Sequence, residues 1–121
     1  MDMVIERSKW LRGDENTPSM LLSPKSGRMC CLGFYALVCG YKREDIKGRT
    51  TPSDLGNPSM FPSTIVIERQ DKDVLLSSHK NSAKCDKLME VNDAPELPEP
   101  QREQQLTTLF KEIDVNVTFI D

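Results

Sequence analysis

The sequence predicts a small α+β domain, one unit spanning residues 1–121, with a short mixed sheet covered on one face by two or three helices. Three observations carry this expectation. Apolar residues recur at helical spacing over 30–41 and again over 106–113. Near both ends of the chain they alternate with polar residues, as on a half-buried strand. Eight prolines and six glycines cut what remains into short pieces. At this length roughly two thirds of the unfolded surface can be buried, enough for one core without disulfide staples.

"MVIERSKWLR" (3–12) holds β-branched and aromatic residues and stops at Gly13, which reads as a strand. Residues 13–27 are turn-rich, and the apolar "MLL" inside them is expected to tuck against the core. Next comes "RMCCLGFYALVCG" (28–40), the least polar stretch. Cys30, Phe34, Leu37, Val38 and Tyr41 share one helix face at i, i+4, i+7, i+8 and i+11. A second stripe, Met29, Gly33, Ala36 and Gly40, is mostly small and admits a neighbouring backbone at close range. The expectation is a central helix buried on more than one face, starting at Ser26–Gly27 and stopping at Gly40.

"YKREDIKGRT" (41–50) reads as a polar exit. "TPSDL" (51–55) carries its own helix start, with Thr51 as cap and Pro52 in the first helical position. "TIVIER" (64–69) reads as a strand that turns and returns in "VLLSS" (74–78). From Ser82, the residues Cys85, Leu88 and Met89 mark a short amphipathic helix, and "NDAPELPEP" (92–100) is a proline-broken connector. Leu106, Leu109, Phe110 and Ile113 then give the clearest periodicity in the chain. Glu99 and Glu103 stand in its early turns and Lys111 in its last, the order the helix dipole favours. In the closing "VNVTFID", Val115, Val117 and Phe119 line one side of a strand. The expected core anchors are therefore Cys30, Phe34, Leu37, Val38, Leu106, Leu109, Phe110, Ile113, Val117 and Phe119.

Several functions are disfavoured from composition. The longest uncharged apolar run, Met29 to Tyr41, falls short of the roughly 20 residues that span a membrane. A pI near 5.2 argues against a dedicated nucleic-acid binder. "MDMVIERSKW" lacks the charged and apolar regions of a secretory signal, so a reducing, intracellular setting is expected and the four cysteines read as thiols. Charge is uneven. Residues 1–60 hold nine Lys/Arg against seven Asp/Glu, and residues 61–121 hold seven against twelve.

Cys30 and Cys31 are adjacent, Cys39 lies two turns on, and Cys85 and His79 are remote, so no pair has zinc-ligand spacing. Core packing is the expected role of these cysteines, with no metal and no cofactor. His79 with Cys85, or with Ser77 or Ser78 and Asp73, supplies residue types for a hydrolase, but no nucleophile motif accompanies them and no catalytic residue is assigned. Ser26, Gly27 and Arg28 precede the central helix and form a candidate anion corner. A small-molecule or metal-binding protein built on that corner and the Cys-rich helix is the first alternative, and the hydrolase the second. Arg43, among cations at the helix exit, and Glu96, Glu99 and Glu103, in an acidic tail, are the candidate partner-binding residues.

Two blocks, "SMLLSPKSGRMCCLGFYALVCG" and "LMEVNDAPELPEPQREQQLTTLFKEIDVNVTFID", together resemble short bacteriophage and mobile-element proteins to which no function is attached. The vicinal Cys30–Cys31 followed by Leu32–Gly33 is the most specific part. The resemblance implies a small phage-encoded interaction protein in the host cytoplasm, binding and inhibiting a host macromolecule of defence or metabolism. A host protein is the expected partner, with self-association into a homo-oligomer as a further state.

Overall fold

The computed structural model describes residues 1–13, 19–68 and 79–121. The alternation at the start of the chain becomes strand β1 (Asp2–Glu6), with Met3 and Ile5 buried and Val4 turned outward. This strand closes earlier than the sequence pattern suggests, because Arg7–Lys9 turn into a short 3-10 helix. Trp10 follows, fully buried.

Residues 23–28 form a turn of their own. The Ser23 hydroxyl accepts the N–H groups of Lys25 and Ser26 at 3.3 Å each, and the Gly27 N–H returns to the Ser23 carbonyl at 2.9 Å. Helix α1 (Cys31–Val38) therefore starts later than expected, with extended Cys30 as its cap position. Its end follows the sequence signal. Gly40 takes φ = 106°, its N–H reaches the Leu37 carbonyl, and the Tyr41 N–H reaches the Ala36 carbonyl at 3.0 Å, a Schellman closure.

Six consecutive residues, Cys31 to Ala36, are buried, so α1 is enclosed on all sides along its first turns. Val38 was expected in the core and is instead 36% exposed. It lies in the last turn of α1, beyond the enclosed run Cys31–Ala36. Small residues in the second stripe do admit a neighbour: the Leu21 backbone lies directly against Gly33.

The polar exit folds into a single helical turn, α2 (Arg43–Ile46), where the Asp45 carboxylate accepts the Lys42 N–H at 2.8 Å and Ile46 is buried. Pro52–Asp54 form a 3-10 turn. Strand β2 (Val66–Glu68) pairs antiparallel with β3 (His79–Asn81). The expected returning strand at 74–78 lies outside the described residues. Helix α3 (Ala83–Asp93) begins where Ser82 predicts, its hydroxyl accepting the Cys85 N–H at 3.0 Å and donating to the Thr64 carbonyl. Ser82→Ala is expected to lower stability by about 1 kcal/mol, read as a shift in the urea midpoint at constant slope. An unchanged midpoint would mean that the cap contributes nothing. Helix α3 continues through Asn92 and Asp93, which the sequence pattern places in the connector. Helix α4 (Glu99–Lys111) and strand β4 (Asn116–Ile120) complete the chain.

β4 lies parallel to β1, with Met3 beside Val117 and Ile5 beside Phe119. Parallel and antiparallel pairing thus both occur, as two separate strand pairs. α1 packs on β1 and α3, α3 on α4, and α4 on β4, so helices cover one face of the β1–β4 pair. This is a small α+β fold. Cys30, Phe34, Leu106 and Phe110 are buried; Leu37, Leu109, Ile113, Val117 and Phe119 are half-buried against the same cluster. The Tyr35 ring meets the Phe110 ring edge-on, with centroids 5.7 Å apart. Among the described residues, no helix is long and apolar enough to cross a membrane.

Candidate functional site

Two buried polar side chains tie the helices together. The Asn92 amide oxygen accepts the Trp10 indole N–H at 2.8 Å and the Cys31 backbone N–H at 3.0 Å. Its nitrogen donates to the Leu11 carbonyl at 3.0 Å and to Asp93 at 2.9 Å. Cys30 has no side-chain oxygen to offer the first turn of α1, so α3 supplies one across the core. Arg102 is 2% exposed. Its guanidinium donates to the Val91, Asn92, Ala94 and Leu97 carbonyls at 2.7–2.9 Å and to Glu99 at 3.1 Å. It closes the C-terminus of α3 and the connector after it, with all five donors used.

The periodicity that marks the two helices reaches both residues. Position 102 is i−4 from Leu106 on the apolar stripe, and position 92 is i+4 from Leu88. A polar residue on an apolar stripe is a signal, and it points here to junctions of the fold.

A row of ion pairs runs along the surface beside α4. Arg12 lies 4.2 Å over the Trp10 ring and donates to Glu99 at 2.7 Å. Arg7 grips both Glu103 oxygens at 2.8 Å and reaches Asp121 at 2.9 Å. The hydrogen bonds from Arg7 hold the Glu103 carboxyl below its ordinary range. Two of the acids singled out for partner binding, Glu99 and Glu103, are therefore engaged inside the molecule, while Glu96 is exposed.

The cations around α2 differ. The Gly48 N–H bonds the Leu22 carbonyl at 2.8 Å, and Leu22 bridges to Lys47, which stitches the 22–27 turn to the exit of α2. Between them opens a cleft of about 330 Å³ lined by Leu22, Ser23, Pro24, Gly27, Arg43, Glu44 and Lys47. Gly27 of the expected anion corner and Arg43 of the expected partner set meet there. The corner itself is not a helix N-terminus, since α1 begins only at Cys31; Ser26 and Arg28 are exposed on the turn, and Arg28 lines a different cavity beside Trp10 and Arg12. Among the described residues, Lys25, Arg28, Lys42, Arg43, Lys47, Arg49, Lys80 and Lys111 have no carboxylate within 4.0 Å, whereas Arg7, Lys9, Arg12, Lys84, Lys87 and Arg102 all do.

The thiols belong to the core. Burial pushes Cys30 up to about 11 and Cys85 up to about 12, and it pushes Cys31 well up too, so all three stay protonated at neutral pH. His79 opens β3, half-buried and beside Glu68, and Cys85 is fully buried under the start of α3. A protonated, enclosed thiol is a poor nucleophile, which removes Cys85 from a dyad. Asp73, Ser77 and Ser78 lie outside the described residues. Among the described residues, no group of three or more His, Cys, Asp or Glu side chains is placed to share a metal ion. No family model, curated protein or solved structure matches the chain.

Proposed function

We propose that the protein works by docking a partner macromolecule, and that the cleft between the 22–27 turn and α2 receives an acidic segment of that partner. One observation carries the reading. Arg43 and Lys47 stand one turn apart over an open cleft with no carboxylate within 4.0 Å of either, in a molecule whose Arg7, Arg12 and Arg102 are held by its own acids. Glu44 is the single acid of the lining. Lys25 and Lys42, next in sequence to Pro24 and Arg43 of the lining, add positive charge. The low pI favours an acidic protein segment over a nucleic acid. The resemblance to phage proteins supports a host protein as the partner and its inhibition as the outcome.

The test is retention on immobilised poly-glutamate, comparing the wild-type chain with Arg43→Glu/Lys47→Glu. Binding is expected to weaken about tenfold or more in the variant, equivalent to about 1.4 kcal/mol. It should also fall with added salt in the wild type, while the thermal midpoint is unchanged. Equal retention of the two chains would sink the proposal.

A further inference from the structure

The β1–β4 pair is open on its far side. Parallel strands are ordinarily covered on both faces, yet here the outer face presents Val4 at 49% and Ile120 at 42% exposure. The two strands are not equally enclosed on the inner face either. Met3 and Ile5 of β1 are fully buried, while their neighbours Val117 and Phe119 on β4 are only half-buried. β4 is therefore the outer strand of the pair.

Hydrogen bonding identifies what its edge offers. The Asn116 N–H bonds the Met1 carbonyl at 2.8 Å, which in this parallel register directs the polar groups of Asn116, Thr118 and Ile120 toward β1. Those of Val117 and Phe119 point the other way, and no backbone group among the described residues meets them.

Edges of this kind are usually guarded by charge, proline or a bulge. β4 has none of these: Asn116, Val117, Thr118, Phe119 and Ile120 are all uncharged. We infer that this edge receives the β4 of a second copy of the chain, antiparallel and centred on Thr118. In that register Val117 and Phe119 exchange both N–H···O bonds with Phe119 and Val117 of the other copy. Side chains agree with the backbone. Val117 faces Phe119, a favourable β-branched–aromatic pair that completes the burial of both, and Thr118 faces Thr118. Asp121, just beyond the strand, is already held by Arg7 of its own chain.

The same operation on β1 would set Asp2 against Glu6, like charges directly opposed. Charge thus selects β4. The interface is isologous and closes after two copies, as a two-fold contact must. This surface is independent of the basic cleft, so either can fail alone.

Sedimentation velocity over a range of protein concentrations tests the inference. The wild-type chain is expected to shift from monomer to dimer as concentration rises, and Thr118→Lys, which places two lysines face to face, to abolish the dimer. Thr118→Glu should abolish it as well, and mixing the two variants should restore a dimer. Because residue 118 is exposed, both variants should keep the wild-type circular dichroism spectrum. A wild-type chain monomeric at every concentration, a dimer that survives in Thr118→Lys, or mixed variants that stay monomeric would each overturn the assignment.

Discussion

Arg102→Met is expected to destabilise the protein by about 2–4 kcal/mol, through the buried hydrogen-bond partners it leaves behind. Methionine keeps the unbranched stem and its packing but removes every donor. The Val91 carbonyl, which Arg102 meets at 2.8 Å in a buried setting, would be left without a partner, and the Asn92 carbonyl would lose one of two, keeping the Gly13 N–H at 3.0 Å. Each such loss costs about 1–3 kcal/mol. The Ala94 and Leu97 carbonyls are only partly buried and can recover water, so they add less. Glu99 keeps Arg12 as a partner. Arg102→Lys should recover only a fraction, because an ammonium cannot span four carbonyls with a planar fork. Urea unfolding followed by circular dichroism gives the number, and a loss below about 1 kcal/mol for Arg102→Met would show that the guanidinium is replaceable by solvent.

Gly33→Ala sets two effects against each other. Alanine in place of glycine inside a helix contributes about 1 kcal/mol of stability by propensity. A Cβ at position 33, however, would overlap the Leu21 carbonyl oxygen and stand 2.8 Å from the Met29 Cβ and 2.9 Å from the Leu21 carbonyl carbon. Two of those obstacles are backbone atoms and cannot rotate aside. Leu21 itself is held by its N–H bond to the Arg49 carbonyl at 2.8 Å. Overpacking of this kind costs about 3 kcal/mol or more, so the clash outweighs propensity and the melting temperature is expected to fall by many degrees. A melting temperature equal to or above wild type would mean that the 20–22 segment can move away from α1.

These two residues also show where sequence is sufficient and where it is not. Gly33 was visible as part of a small-residue stripe, because close approach demands small side chains whatever the neighbour is. What the stripe cannot name is the neighbour, an extended segment instead of another helix. Helix ends were legible where side chains and glycine conformation set them, at Ser82 and Gly40. The start of α1 was not, since its cap comes from Asn92, 61 residues away. Periodicity placed Val38 in the core, yet it is exposed in the last turn of α1, beyond the enclosed run Cys31–Ala36; a helical wheel contains no information on where along its axis a helix is covered. The acids of α4 looked like a partner surface until Arg7 and Arg12 were brought beside them; pairing across the fold is invisible to local charge counting. Arg43 and Gly27 carry separate signals in the sequence, a cation cluster and a turn, and only the link between Leu22 and Gly48 joins them in one cleft.

The pairing of β1 with β4 has a kinetic consequence. Its strands meet across a sequence separation of 114 residues, as between Asp2 and Asn116. By contrast, Arg102 finds the Val91 carbonyl only 11 residues away. Chain search over the longer separation is entropically the most demanding step, so local helical contacts form ahead of it. β1 is synthesised well before its partner β4, so its hydrophobic Met3 and Ile5 stay uncovered until β4 arrives. The acids at its two ends, Asp2 and Glu6, then serve the nascent chain as well as the folded one, discouraging pairing between chains during that interval.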